Sequence, residues 1–122
     1  MKRAHTQLEA WRQGIVLVKA MYQATASFPV GERYGLTSQI RRAAVSIPTN
    51  LAEGAGRGTQ KEFLQFLIIA RGSMSELETL ITIAKEVGIQ STDEVANLDK
   101  LCDRVSSCLS GLITSVRKNT QP

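Results

Sequence analysis

Apolar residues recur at alternating spacings of four and three along the third quarter of the chain. That period places them on one face of an α-helix, and its regularity is typical of helices that pack side by side as in coiled coils. A capping box formed by Thr59 and Glu62 predicts where the helix begins, and Gly88 predicts where it ends. The sequence therefore predicts a helix over residues 59–87, with this buried stripe: Phe63, Leu67, Ala70, Met74, Leu77, Ile81 and Ala84.

Three further segments carry the same helical period, and they predict helices over residues 6–27, 37–56 and 92–118. The hydroxyl of Thr37 is expected to cap the start of the second helix, and "STDE" gives the fourth a capping box. The tail, residues 119–122, is expected to be frayed. The predicted buried stripes are Leu8, Trp11, Ile15, Val18 and Tyr22 in the first helix, and Val95, Leu98, Cys102, Val105, Leu109, Leu112 and Val116 in the fourth.

Short connections between these long amphipathic helices make successive helices antiparallel neighbours. None of the segments has the alternation typical of a strand. The length of 122 residues is enough for one buried core without disulfides or a metal ion. The sequence therefore predicts an all-α protein, an antiparallel up-down-up-down four-helix bundle that forms a single domain over residues 1–122.

Pro48 lies in the middle of the second predicted helix. A proline lacks an N–H group and clashes with the carbonyl group of the fourth residue before it, here Ala44. A new helix starting at Pro48 would have Ile47 as its N-cap, and isoleucine caps poorly. We therefore expect one continuous helix kinked at Pro48, in which Thr49, Asn50 or a water bonds to the freed carbonyl. Its core face is predicted to be Ile40, Ala44, Ile47, Leu51 and Ala55.

Several classes of site are disfavoured by the composition. The glycines of "GAGRGT" lack the spacing of a nucleotide-binding loop and follow a helix, so they are interpreted as a helix end and a turn. A single histidine and two cysteines, Cys102 and Cys108, predict buried structural thiols and no metal site. No set of residues suggests catalysis or a cofactor, so the protein is not expected to be an enzyme.

The apolar stretches are too short to span a bilayer, and the first residues lack the apolar core of a signal peptide. The sequence therefore predicts a cytoplasmic protein that does not enter the membrane. Its net charge of +4 comes entirely from residues 1–56, which carry seven lysines and arginines against three glutamates. A basic excess of this kind favours an acidic partner such as RNA.

Some apolar residues exceed what the core of a bundle needs. On the third helix they lie beside the buried stripe, and on the second they form a face of small side chains. Such surfaces are uncommon on monomers, so we predict a homo-oligomer. The expected interface residues are Ile69, Leu80, Ile83 and Val87 on the third helix, and Val45, Pro48 and Ala52 on the second.

The strings "YGLTSQIRRAAVSIPTNLAEGAGR" and "KEFLQFLIIARGSMSELET" resemble the four-helix-bundle family encoded in intervening sequences of bacterial 23S rRNA genes. The resemblance covers Trp11 to about Gly88. It implies a cytosolic bundle that assembles as a ring, a pentamer, without catalytic residues. A related branch comprises the accessory variability proteins of diversity-generating retroelements, basic pentamers that bind nucleic acid and a reverse transcriptase.

Positions that recur in that family carry polar side chains in this chain. We interpret them first as packing and intersubunit contacts, which could form a buried hydrogen-bonded network. They are Arg41, Arg42, Asn50, Glu53, Arg57, Arg71, Ser73 and Glu76.

Two functions stay open at this point. The first is a homo-oligomer that binds RNA or another nucleic acid, because several subunits would multiply a modest charge. The second is a scaffold that binds a protein partner, such as a reverse transcriptase, without nucleic acid. Arg41 and Arg42 meet phosphates under the first hypothesis and carboxylates of a neighbouring subunit under the second. The residues expected to contact nucleic acid are Arg41, Arg42, Arg12, Lys19, Arg33 and Arg57.

Overall fold

The structure is a computed structural model, and it describes residues 3–120. Four helices make up most of this part: α1 (Glu9–Thr25), α2 (Leu36–Ala55), α3 (Gln60–Glu86) and α4 (Thr92–Thr120). Short 3-10 turns at Ala4–Gln7 and Val30–Glu32 precede α1 and α2, and residues 3–120 contain no strand. The predicted all-α four-helix bundle is confirmed.

Each helix packs on the two helices that adjoin it around the bundle. α2 lies against α1 and α3, and α4 lies against α3 and α1, whereas the diagonal pairs make no close contact within residues 3–120. The start of α2 meets the end of α1 through a hydrogen bond from Arg41 to Thr25, which shows that the two helices run antiparallel. This is the up-down-up-down order expected for short connections.

The stripes predicted for α3 and α4 form much of the core. Within them, all positions are buried except Phe63 and Leu112, which are only partly buried, and Ile113 is buried beside Leu112. Both predicted capping boxes are present: the Thr59 hydroxyl accepts a hydrogen bond from the Glu62 N–H, and Ser91 and Glu94 bond reciprocally. A long, regular apolar period therefore predicts a helix whose apolar side is covered by two neighbouring helices.

The stripe predicted for α1 is wrong. The buried residues of α1 are Ala10, Gly14, Leu17, Met21 and Thr25, one position before the predicted set. The bulky residues that sequence reasoning assigned to the core lie at its edge, and Ile15 and Tyr22 are each 44% exposed. Gly14 lies at the contact with α2, where an added Cβ atom would be at ordinary van der Waals distance, 3.4 Å, from the Cβ atom of Pro48, so α1 approaches α2 at a small residue.

α2 continues through Pro48 without interruption, as expected, and the bend at that residue stays a prediction. The expected donors bond elsewhere: the Thr49 hydroxyl donates to the Val45 carbonyl at 2.7 Å, and the Asn50 amide donates to the Ser46 carbonyl at 2.7 Å. Each side chain therefore bonds to the carbonyl four residues before its own position, as is common for polar residues within helices.

Several further predictions need correction. α1 begins at Glu9 and not at residue 6, because a 3-10 turn over Ala4–Gln7 precedes it. α4 extends to Thr120, so the part of the predicted tail at residues 119–120 is helical, and residues 121–122 lie outside the described range. Ala55 is only partly buried. Cys102 is buried, but Cys108 is only partly buried.

Candidate nucleic-acid interface

A cleft of about 480 Å³ lies where the end of α1 meets the start of α2. Arg33 and Tyr34, which follow the 3-10 turn in the connection of the two helices, also line it. We call it the arginine cleft. It is lined by Tyr22, Arg33, Tyr34, Thr37, Ser38, Arg41, Arg42 and Val45.

The guanidinium group of Arg41 is anchored in this cleft by the last turns of α1. Its Nε donates a hydrogen bond to the Thr25 hydroxyl at 2.8 Å, and a terminal nitrogen lies 3.4 Å from the Tyr22 carbonyl oxygen. Its Cζ atom lies 4.5 Å from the centre of the Tyr22 ring, within the range of a cation–π contact. The end of a helix carries partial negative charge, so it stabilises this cation. A guanidinium has five N–H donors, and these contacts leave others for a ligand.

Arg42 and Arg33 are exposed at the same cleft. The Cζ atom of Arg33 lies 5.9 Å from the centre of the Tyr34 ring. Within residues 3–120, the ion pairs are those of Arg12 and Arg57, so all three arginines of the cleft lack a carboxylate partner. Glu32 precedes Arg33 in the chain, but it lines a different groove, between α2 and α3. The cleft therefore presents unneutralised positive charge.

The start of α2 contributes the hydroxyl side chains of Thr37 and Ser38 to the cleft. No side chain caps α2, whose N-cap is Gly35, so the prediction that the Thr37 hydroxyl caps this helix is wrong. Thr37 is only 8% exposed, and its hydroxyl forms no hydrogen bond within residues 3–120. It lines the arginine cleft beside Ser38. Uncapped N–H groups at the positive end of a helix favour an anion.

The other basic residues predicted to contact nucleic acid lie apart from this cleft. Arg12 forms an ion pair with Glu9 at 2.7 Å and also donates to the Thr6 carbonyl. Arg57 pairs with Glu53 at 3.0 Å and lies over the ring of Phe66. Lys19 is exposed one turn before Tyr22 on the same face of α1, so it extends the charge of the cleft along the bundle.

The predicted interface residues fall into separate places. Val45, Pro48 and Ala52 line an apolar groove of about 380 Å³ between α1 and α2, although Pro48 itself is buried within the monomer. On α3, Leu80 is also buried, so Pro48 and Leu80 expose little surface within one chain, and their place at a subunit interface stays a prediction. Ile69 and Ile83 are exposed on α3, and Val87 is exposed directly after its last residue.

The predicted polar network is not assembled within one chain. The Ser46 hydroxyl bonds to Ser73 across the contact of α2 with α3, and Asn50 bonds within α2. Arg71 and Glu76 are exposed and form no ion pair within residues 3–120. Among the predicted positions, Ser73 joins α3 to α2 through Ser46, and Arg41 joins α2 to α1 through Thr25.

A family model described as "23S rRNA-intervening sequence protein" matches residues 6–111. The chain belongs to this family. No curated protein matches it at a significant level. For this member of the 23S rRNA-intervening sequence protein family, the matched range includes the whole arginine cleft. The expected relation to accessory variability proteins stays a prediction.

Sequence reasoning missed the two tyrosines of the cleft in this family member. Tyr22 was assigned to the core, yet it is 44% exposed, and Tyr34, which is 89% exposed, was assigned no role. Phe28, the other aromatic residue of the connection, does pack against the core. The available signal was the adjacent pair Arg33 and Tyr34 in "ERYG", since aromatic and basic side chains occur together on surfaces that bind single-stranded nucleic acid.

Other chemistry has little basis in the described part of this family member. Among residues 3–120, no three His, Cys, Asp or Glu side chains come close enough together to hold a metal ion. Burial, reinforced by the nearby carboxylates of Glu78, Asp99 and Asp103, raises the pKa of the Cys102 thiol to about 12. That thiol is therefore not a nucleophile at neutral pH. None of the helices within residues 3–120 combines the length and apolar character needed to cross a bilayer.

Proposed function

We propose that the protein is a non-catalytic, cytoplasmic nucleic-acid-binding protein that holds RNA at the arginine cleft. The observation that carries this proposal is the presence of three arginines without carboxylate partners around one cleft. Guanidinium groups bind phosphate in a bidentate manner, and phosphate contacts supply most of the affinity of non-specific nucleic-acid binding. The uncapped start of α2 and the Thr37 hydroxyl supply further donors for a phosphate oxygen.

The six basic residues predicted from the sequence do not contribute equally to this function. Arg41 and Arg42 approach the ligand most directly, with Arg33 at the opposite wall and Lys19 as an outer contact. Arg12 and Arg57 are each neutralised by a glutamate of their own helix turn, so they add little attraction. Phosphate binding therefore depends on a site, and not on the basic composition as a whole.

We also propose that the protein acts as a homo-oligomer, a pentamer. Support comes from α3, where Ile69, Ile83 and Val87 leave apolar surface exposed, with Val87 62% exposed. Five copies of a chain of net charge +4 would carry about +20. Several clefts on one particle would bind one RNA strand together, which raises the overall affinity well above that of a single cleft.

The proposal is tested with a charge reversal in the cleft and a matched reversal elsewhere. Arg42→Glu is expected to lower the affinity for RNA about tenfold or more at low ionic strength, because a phosphate contact becomes a repulsion. Arg104→Glu makes the same change in charge at an exposed site on α4, and we expect less than about a threefold effect. Binding is measured by fluorescence anisotropy over a salt series, and the mass of each variant by light scattering.

Four outcomes separate the parts of this proposal. Loss of affinity for Arg42→Glu with an unchanged particle mass supports the arginine cleft as the site. Equal losses for both variants would show that only the overall charge matters. If the purified protein retains no RNA at low ionic strength, nucleic-acid binding itself is wrong, and a monomeric mass would overturn the proposed oligomer.

The second candidate function is a scaffold or adaptor for a protein partner such as a reverse transcriptase. It is favoured by an apolar groove of about 500 Å³ between α2 and α3, lined in part by Leu36, Leu80, Ile83, Val87 and Ile89. Purification from native cytosol distinguishes the two functions. A stoichiometric protein without nucleic acid would favour the scaffold, whereas co-purifying RNA lost on Arg42→Glu would favour the arginine cleft.

A further inference from the structure

We propose that the arginine cleft takes unpaired nucleotides, so that the ligand is single-stranded and its bases stack on Tyr34 and Tyr22. This inference rests on the proposed nucleic-acid binding. Tyr34 is 89% exposed and Tyr22 is 44% exposed, and both line the cleft that holds the three arginines. An aromatic ring left in water gains nothing from folding, so its position in a basic cleft points to a ligand with a flat apolar face.

Each tyrosine of the cleft is matched with an arginine. The Cζ atom of Arg41 lies 4.5 Å from the centre of the Tyr22 ring, and that of Arg33 lies 5.9 Å from the centre of the Tyr34 ring. A stacking surface therefore lies beside a phosphate-binding group at two places in one cleft. A nucleotide carries the same two features side by side, since its base is a π-surface and its phosphate is an anion.

A duplex offers the cleft only half of this chemistry. Its phosphates are accessible, but its bases are paired and stacked inside the helix, and their faces are covered. RNA-binding proteins that use aromatic stacking accordingly act on single strands, loops and bulges. The cleft is an open depression of about 480 Å³, which leaves room for a splayed nucleotide beside the two rings.

The arginines alone do not account for this arrangement. Arg42 is exposed and, within residues 3–120, forms neither a cation–π contact nor an ion pair, as expected for a simple phosphate contact. Arg41 is fixed by Thr25 and Tyr22, so its direction relative to the Tyr22 ring is set before the ligand arrives. We therefore assign Arg42 to the phosphate in any nucleic acid, and Tyr34 to the choice of an unpaired strand.

The test compares a 12-nucleotide oligouridine with a 12-base-pair RNA duplex at one ionic strength, by fluorescence anisotropy. Tyr34→Ala is expected to lower the affinity for the single strand about 5- to 100-fold, because stacking of a base on an aromatic side chain is lost. Tyr34→Phe keeps the ring and is expected to bind like the unsubstituted protein. Neither variant is expected to change the affinity for the duplex, which itself binds more weakly than the single strand.

The outcomes keep this inference separate from the proposed function. If the duplex binds as tightly as the single strand and Tyr34→Ala affects neither, the inference is wrong, while sensitivity to Arg42→Glu would still support binding at the cleft. If neither probe binds, the proposed function fails and the inference with it. A change in particle mass for Tyr34→Ala, measured by light scattering, would assign Tyr34 to a subunit contact and overturn its role in stacking.

Discussion

α2 has two seams, one with α3 and one with α1, and they are built differently. Against α3 the fit is closed at Gly54, where an added Cβ atom would lie 2.7 Å from the Cβ atom of Phe66, and the Ser46 hydroxyl bonds to Ser73; the groove between these two helices opens only near the start of α2. Against α1 the helices touch at Gly14 and Pro48, but they leave the arginine cleft and an apolar groove along the surface. The closest fit of α2 is therefore with α3 around Gly54, and the arginine cleft lies on its side facing α1.

The difference arises from where the large side chains lie. In the seam with α3, Phe66 is drawn against the backbone of α2 because glycine leaves space for it. In the seam with α1, small residues lie at the contact. Trp11 and Ile15 line the apolar groove at the edge of this seam, and Tyr22 lines the arginine cleft. When two helices approach each other through small residues, the bulky side chains beside the contact stay at the surface and are available for a ligand.

The first prediction tests whether the core of the bundle is tightly packed, so that the clefts between α1 and α2 are a local feature. At pH 8 we expect a thiol reagent to label Cys102 more than about 100-fold more slowly than Cys108. Cys102 is 1% exposed, and its pKa is raised to about 12 mainly by burial. Because the folded pKa lies well above pH 8, the folded thiol is almost entirely protonated, and its thiolate fraction rises about tenfold per pH unit toward the folded pKa.

Cys102→Ser and Cys108→Ser variants assign the two labelling phases, which are followed by mass spectrometry. If both thiols react in one fast phase, the core opens freely. The bundle would then be loosely packed throughout, and the two seams of α2 would not differ in how closely they are packed.

The second prediction addresses the closed seam. Gly54→Ala is expected to lower the free energy of unfolding by about 1–3 kcal/mol, because the new methyl group has no space beside Phe66 and the helices must separate. Urea unfolding measures the change. Gly72→Ala and Gly111→Ala are matched controls, since a Cβ atom there meets nothing within 4 Å, and each should raise the stability by about 0.5–1 kcal/mol. A stabilised Gly54→Ala protein would contradict the closed fit.

The third prediction separates the two adjacent arginines of the open seam. Arg41→Ala is expected to lower the free energy of unfolding by about 1–2 kcal/mol, because the hydrogen bond to Thr25 and the contact with Tyr22 are lost. Arg42→Ala, which removes an exposed side chain without an ion pair, should change it by less than about 0.5 kcal/mol. Equal effects in urea unfolding would show that anchoring does not distinguish the two residues.

The sequence was sufficient for the bundle and for two of its core stripes. Along α3 and α4 the strongest apolar period coincides with the buried face, so periodicity located the core. Along α1 periodicity did not locate the core, because the larger apolar side chains are not the buried ones there. Gly14 is buried at the contact with α2, while Ile15 is exposed. The sequence pattern of α1 alone does not reveal that Pro48 of α2 lies opposite Gly14.

The site was predictable in part for a similar reason. Arg33, Arg41 and Arg42 are close in sequence, and the turn before α2 brings them to one cleft. The partners of individual arginines were not predictable, because pairing depends on side-chain rotamers. Arg57 pairs with Glu53 on its own helix, whereas Arg41 bonds to Thr25 on α1. Which arginine stays free for a ligand is therefore a property of the packed helices.

The last prediction returns to the middle of the open seam, where the effect should be smallest. In Gly14→Ala the new Cβ atom would lie 3.4 Å from Pro48, an ordinary contact, so the intrinsic gain of alanine in a helix is offset only by a slightly tighter fit. We expect a change in the free energy of unfolding of less than about 0.5 kcal/mol. If the loss instead matches that of Gly54→Ala, α1 and α2 are as closely fitted at their centre as α2 and α3. The shape of the arginine cleft would then depend on the bulky residues at its edge alone, and RNA affinity would respond to substitution of Tyr22 but not to the spacing of the helices.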